Sequence, residues 1–186
     1  MYSTKRITIP ILLLALVTLG CGFSVTLKDG GYNTGAMTTE PINVPFPEQS
    51  EGQVDLTIQF GGGKLTVGPG AAEALITGNA TYNVAELKPK VLVEGNTVTL
   101  SQLDKEIRVP ARLGSDVRNV WDLKLASSPI DLTIKAGGYQ GDLELGGLAL
   151  KSLHIAEGAS DSRVSFSEPN QAEMDTFRFE TGASKV

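Results

Sequence analysis

The stretch Ile130-Asp131-Leu132-Thr133-Ile134-Lys135-Ala136-Gly137-Gly138 decides the fold. It echoes Val54-Asp55-Leu56-Thr57-Ile58-Gln59-Phe60-Gly61-Gly62 almost residue for residue in character. In both copies apolar and polar side chains alternate, which puts them on opposite faces of an extended chain. Both copies end in glycines that break the strand.

Downstream of the second copy, apolar pairs recur as Leu132/Ile134, Leu143/Leu145, Leu153/Ile155, Val164/Phe166 and Phe177/Phe179. Two short strands per about 21 to 24 residues is a solenoid-range period. Leu153-His154-Ile155-Ala156-Glu157-Gly158-Ala159-Ser160 also echoes Phe177-Arg178-Phe179-Glu180-Thr181-Gly182-Ala183-Ser184. An antiparallel meander would give similar strand spacing. The second echo repeats a whole corner rather than mere alternation, and so favours stacked rungs. Each rung has too few apolar residues to fold alone, but stacking at ~4.8 Å buries successive pairs in one strip. Thr133, Glu144, His154 and Ser165 should then face outward.

Upstream, Leu65 and Val67 resume the alternation after Gly61-Gly62-Gly63, and Asn79 to Val84 is β-prone. Lys90 to Glu94 and Thr97 to Ser101 flank Gly95-Asn96, a two-residue turn suited to a hairpin. Ile107 and Val109 read as a further short strand before Pro110. No window after the N-terminal segment carries a helical apolar period. The fold class is all-β: a short N-terminal β module over 53–116 leads into β-solenoid rungs over 117–186. Gly182 to Val186 follow the first strand of a new rung with no visible cap. That predicts a truncated chain, or an edge that self-associates or is covered by a partner or by the N-terminal β part.

The N-terminal segment gives a location. Lys5 and Arg6 precede an apolar run from Ile7 to Leu19 that is too short to span a bilayer. Val17-Thr18-Leu19-Gly20-Cys21 resembles a bacterial lipobox, with small Gly20 before the sole cysteine. Residues 1–20 read as a signal peptide and Cys21 as the lipidation site. Residues 21–52, rich in Gly, Pro, Ser, Thr and Asn, read as a lipidated flexible tether that lifts the folded part off the membrane. The formal charge is −5, and loss of Lys5 and Arg6 makes it more negative still. An acidic chain is poorly suited to nucleic acid or to electrostatic docking on anionic lipid. One cysteine permits no internal disulfide.

Asn79-Ala80-Thr81-Tyr82-Asn83-Val84-Ala85-Glu86-Leu87-Lys88-Pro89-Lys90 and Asn119-Val120-Trp121-Asp122-Leu123-Lys124-Leu125, followed by Pro129 to Leu132, resemble the toast-rack domain family. The resemblance runs over about residues 53 to 186. It implies a β-solenoid similar to the C-terminal domains of LiaF-like cell-envelope stress proteins and to adhesin-like proteins, with no catalytic residues to transfer.

The chain offers little for catalysis. Gly61-Gly62-Gly63-Lys64-Leu65-Thr66 lacks the Ser or Thr and the first glycine of a phosphate loop, and leads into a strand. His154, the single histidine, alternates with Leu153 and Ile155 and should face solvent. A Ser-His-Asp triad would have to use it, and a solvated strand position speaks against that role; one histidine and a lipidated Cys21 cannot fill a tetrahedral zinc site. Asp142 and Glu144, with Asp161 or Glu168, could form a carboxylate pair for polysaccharide cleavage. Trp121 shares a strand face with Leu123 and Leu125 and reads as core. The expected function is a lipid-anchored extracytoplasmic binding module of the bacterial cell envelope, in adhesion or envelope-stress sensing. It would be no enzyme, need no cofactor or metal, and have an envelope protein or glycan as partner. A polysaccharide-active enzyme and a passive structural lipoprotein are the alternatives.

Overall fold

The computed structural model describes residues 33–48, 52–102 and 116–186. Cys21, the expected signal segment over residues 1–20 and the expected strand at Ile107 and Val109 lie outside these residues. Among the described residues, apart from one 3₁₀ turn at Ala85–Leu87, the regular elements are strands.

The two echoing stretches lie side by side. Strand β2 (Val54–Ala71) runs parallel to β7 (Pro129–Glu144), with Val54 opposite Ile130, Leu56 opposite Leu132 and Ile58 opposite Ile134. Each is one long strand that turns a glycine corner, at Gly61-Gly62 or Gly137-Gly138, and so supplies both faces of a rung. The next rung follows in sequence: β8 (Ala149–Glu157) pairs with the first half of β7, and β9 (Ser160–Ser165) pairs with the second. Then β10 (Thr176–Thr181) lies on β8, with Phe177 opposite Leu153. Both echoes are therefore rung-on-rung contacts. Around their shared corner backbones approach closely: a Cβ on Gly182 would stand 2.9 Å from the carbonyl oxygen of Gly158. After β10 the chain turns the same corner again, and Lys185 bridges to Asp161.

On the other side of β2 the order in space departs from the order in sequence. Strands β5 (Thr97–Ser101) and β6 (Asn119–Ala126) form a rung there, both parallel to β2. Antiparallel strands finish this end. β4 (Lys90–Glu94) pairs with β5 through a hairpin at Gly95-Asn96, where Gly95 has φ 63°. β3 (Ile76–Tyr82) pairs with β6, and β1 (Thr38–Val44) with β3.

Two sequence expectations need correction. The tether read over 21–52 includes β1, whose Ile42 and Val44 are buried. Its Pro41 and its four polar residues hid a strand that only β3 completes. The division at 116/117 is not a break between two folding units either. β2, from the first part, pairs with β7, from the second, along most of its length, because the first echo belongs to the solenoid.

The core is the strip between the faces. Val98, Leu56, Leu132 and Leu153 align across one face, and Leu123, Val67 and Leu143 across the other, all buried. Trp121 is fully buried, its ring 5.3 Å from that of Phe60 in an edge-on arrangement; Tyr139 meets Phe60 from the next rung at 6.2 Å. The expectation that Trp121 serves the core holds.

Candidate functional site

The alternation that buries one side of each strand lays out polar rows on the other. On the β5–β2–β7–β8–β10 face, Thr99, Thr57, Thr133, His154 and Arg178 form one row, and Thr97, Asp55, Asp131, Ser152 and Thr176 another. Asp55 and Asp131 thus stand opposite each other on adjacent rungs. Burial, then the charge of Asp131 and a hydrogen bond to it, push the Asp55 carboxyl above the usual range. Asp131 is held by Gln53 and by Ser152, whose Oγ donates at 2.5 Å. The pair was missed in the sequence, although both aspartates occupy the same position of the repeated stretch.

At one end of this row His154 is half-buried, its Nε2 3.6 Å from a carboxylate oxygen of Glu180. Burial, which pushes Glu180 up, is outweighed by hydrogen bonding and charge from Arg178, with a smaller share from His154. Glu180 therefore lies below the ordinary range. His154 faces outward as expected and meets an acid of the next rung.

The carboxylates proposed for cleavage chemistry are not brought together as opposed pairs. Asp142 faces Arg163 on the next rung, Glu144 faces Ser165, and Asp161 faces Gln140. Glu144 closes a turn. Its oxygens accept the Ser167 N–H at 2.9 Å, the Gly146 N–H at 2.8 Å and the Ser165 hydroxyl at 2.9 Å, and these donors, Ser167 first, hold its pKa down. The carboxylate of Glu168 lies over Gly147. Among the described residues no group of three or more His, Cys, Asp or Glu side chains is placed to hold a metal ion.

A different carboxylate is buried. Glu157 is 6% exposed and accepts the Tyr139 hydroxyl at 2.7 Å, Ser160 Oγ at 2.7 Å and Ser162 Oγ at 3.0 Å. A charge in this position is tolerable because three hydroxyls replace its hydration. It ties two rungs together at the corner. Burial, then the bond to Glu157 and its charge, raise the Tyr139 phenol far above its ordinary value of ~10. A phenol whose folded pKa is raised contributes fully below the unfolded pKa, and that contribution is lost as pH climbs from ~10 toward the folded value. Tyr139→Phe should cost about 1–3 kcal/mol at pH 8, because Glu157 loses a donor. The gap between the two proteins should shrink at pH 11, as read from urea midpoints. A gap constant across that range would contradict this account.

Beside Tyr139 lies an open recess of about 360 Å³, its rim carrying Lys64, Arg118, Asn119 and Gln140. The Arg118 backbone is fixed by Asn83: its N–H donates to Asn83 Oδ1 at 2.7 Å, and its carbonyl accepts the Asn83 N–H at 3.2 Å. Lys88 pairs with Glu40 of β1 at 2.8 Å, an exposed contact of small energetic weight.

The stretches around Asn83, Lys88 and Trp121 therefore have structural roles: a strand-end clamp, a tie to β1 and a core anchor. The sequence profile of the N-terminal domain of toast_rack, DUF2154, matches residues 33–186. The chain belongs to this family. The match begins at residue 33, well before the start expected from the sequence, and so takes in β1. Among solved structures, the chain resembles a putative cell adhesion protein from Clostridium sporogenes ATCC 15579. That match has 23% identity and a TM-score of 0.60, over 78% of this chain and 68% of that one. It is a likeness of fold. A putative adhesin from Bacteroides fragilis NCTC 9343 is more distant, at 8% identity and a TM-score of 0.30 over 81% and 97% of the two chains. No curated protein matches.

Proposed function

We propose that the chain is a lipid-anchored, extracytoplasmic interaction module of the bacterial cell envelope. It would be held by Cys21, present the polar rows of its sheet to an envelope protein or glycan, and perform no catalysis. The observation that carries this reading is how the polar groups are spent. Glu144, Glu157 and Asp131 are occupied by hydrogen bonds that hold turns and rungs. Threonines and charged residues, meanwhile, repeat outward at strand spacing along one face. A rigid array of hydroxyls, amides and charges suits recognition of an extended polar partner better than bond cleavage. The fold shared with a protein named for cell adhesion agrees with this.

The test has two arms. Cells given a radiolabelled fatty acid should transfer label to the full chain, whereas Cys21→Ala should abolish labelling. It should also release the domain from membranes or leave it as uncleaved precursor; unchanged labelling would remove the anchor. For the interaction, the purified full chain is offered cell-wall sacculi and envelope membranes. Retention on neither above a blank resin would leave only a passive structural role.

A further inference from the structure

Parallel in-register stacking sets equal positions of a repeat side by side, and where that position is acidic it sets two charges together. Asp55 and Asp131 are such a pair, direct neighbours across the β2–β7 seam, the longest strand pairing among the described residues. Neighbouring strands lie about 4.8 Å apart, close enough for each carboxylate to disfavour ionisation of the other. Their hydrogen bonds differ. Asp131 accepts on both oxygens, from Ser152 Oγ at Oδ1 and from Gln53 Nε2 at Oδ2. A further donor still fits there, because each carboxylate oxygen has two acceptor sites. The Asp55 carboxyl reaches the Thr97 hydroxyl on one side and Asp131 on the other. Two carboxyl groups bond to each other only through a proton. Asp131 is already the acceptor, so that proton belongs to Asp55.

We propose that Asp55 is the proton-binding group of an acid-responsive tie between the β2 and β7 rungs. Protonated, its O–H donates to Asp131 and bonds the two rungs on their outer face. Ionised, the two carboxylates repel across the same seam and the tie is lost. Burial first, then the charge of Asp131 and the bond to it, hold the Asp55 carboxyl above the ordinary range, against the Thr97 hydroxyl. The other groups around the pair are less direct. From β5 comes neutral Thr97, with Glu94 of β4 beyond it. From β8 comes Ser152, with Lys151 at the bulge beside it, and from β10 Thr176, preceded by Asp175. His154 and Arg178 stand one row further along, and Lys135 two. Among the described residues, Asp131 is the charged group in register with Asp55. A carboxyl whose folded pKa is raised contributes stability below the unfolded value of ~3.9, and loses it as pH climbs through the folded value. This seam joins the first half of the chain to the second, so the stack tightens in mild acid and loosens toward neutrality.

The test is a pH profile of the full-length chain. Asp55→Asn replaces the protonated carboxyl with an amide that donates to Asp131 at every pH. Its urea midpoint should match that of the unsubstituted chain at pH 4 and exceed it at pH 8. A gap that is the same at both pH values, or an unsubstituted chain more stable than the variant at pH 8, would overturn the proposal. Carboxyl-carbon NMR reads the proton itself. Asp55 should titrate above the ordinary aspartate range, and Asp131→Asn should move its midpoint down. A midpoint within the ordinary range, or one that Asp131→Asn leaves in place, would refute the tie as well.

Discussion

Trp121→Ala is expected to lower the unfolding free energy by about 3–5 kcal/mol, the range for removing a buried aromatic side chain. Trp121 is fully buried on β6, next to Leu65 of the adjacent rung on one side and Ala80 of β3 on the other. It is where the parallel stack meets its antiparallel finish, and its ring packs edge-on against Phe60. Truncation leaves a cavity that rigid, hydrogen-bonded strands cannot close by sliding together. Among the described residues the indole nitrogen has no hydrogen-bond partner, so the loss is one of packing and burial. Trp121→Phe should therefore retain a good part of the stability. Circular dichroism in urea is the suitable measurement, since the substitution removes the sole tryptophan. A loss below about 1 kcal/mol for the alanine variant would mean that this junction does not hold the rungs together. In a stack of neighbour-coupled rungs the β5/β6 end could then melt ahead of the rest, and a broadened transition would reveal it.

The solenoid half of the architecture was legible because stacking preserves register. Asp55 and Asp131 occupy the same place in two copies of one pattern, and so do Leu153 and Phe177; parallel in-register pairing makes such positions neighbours. The chain order of the rungs was not legible. The rung made by β5 and β6 follows β2 in sequence but precedes it in space, and nothing in the local alternation records that inversion. Strand β1 escaped notice because Thr38 to Val44 holds only two buried apolar residues and a proline, tolerable at a sheet edge. The buried carboxylate of Glu157 was likewise hidden. Its partner Tyr139 lies on another rung, so only the stack shows that a phenol and two serines replace its water. Asp142, Glu144 and Asp161 were singled out by residue type alone, whereas their rung neighbours turned out to be Arg163, Ser165 and Gln140.

Gly63→Ala should be damaging to a similar degree, with a loss of about 3 kcal/mol or more. Two separate costs combine there. Gly63 has φ 121°, a conformation L-residues avoid, and a Cβ at that position would lie 2.1 Å from the carbonyl oxygen of Asn119. Backbone cannot yield as a flexible side chain would, because the corner is fixed from both sides. Gln102 Oε1 accepts the Gly61 N–H at 2.8 Å, and Asn119 Nδ2 donates to the Gly62 carbonyl at 2.5 Å. Gly95→Ala separates the two costs. Gly95 also has positive φ, at 63°, but an added Cβ there would meet nothing within 4 Å. That variant should lose only the conformational part, about 1 kcal/mol. The difference between the two losses, read from urea midpoints, combines the clash with β6 and the heavier backbone cost at φ 121° than at 63°. Equal losses would show that the corner opens to admit a side chain. The glycines after Phe60 would then be a simple strand break, as the sequence alone suggested, rather than the contact that lets the β2 rung seat against β6.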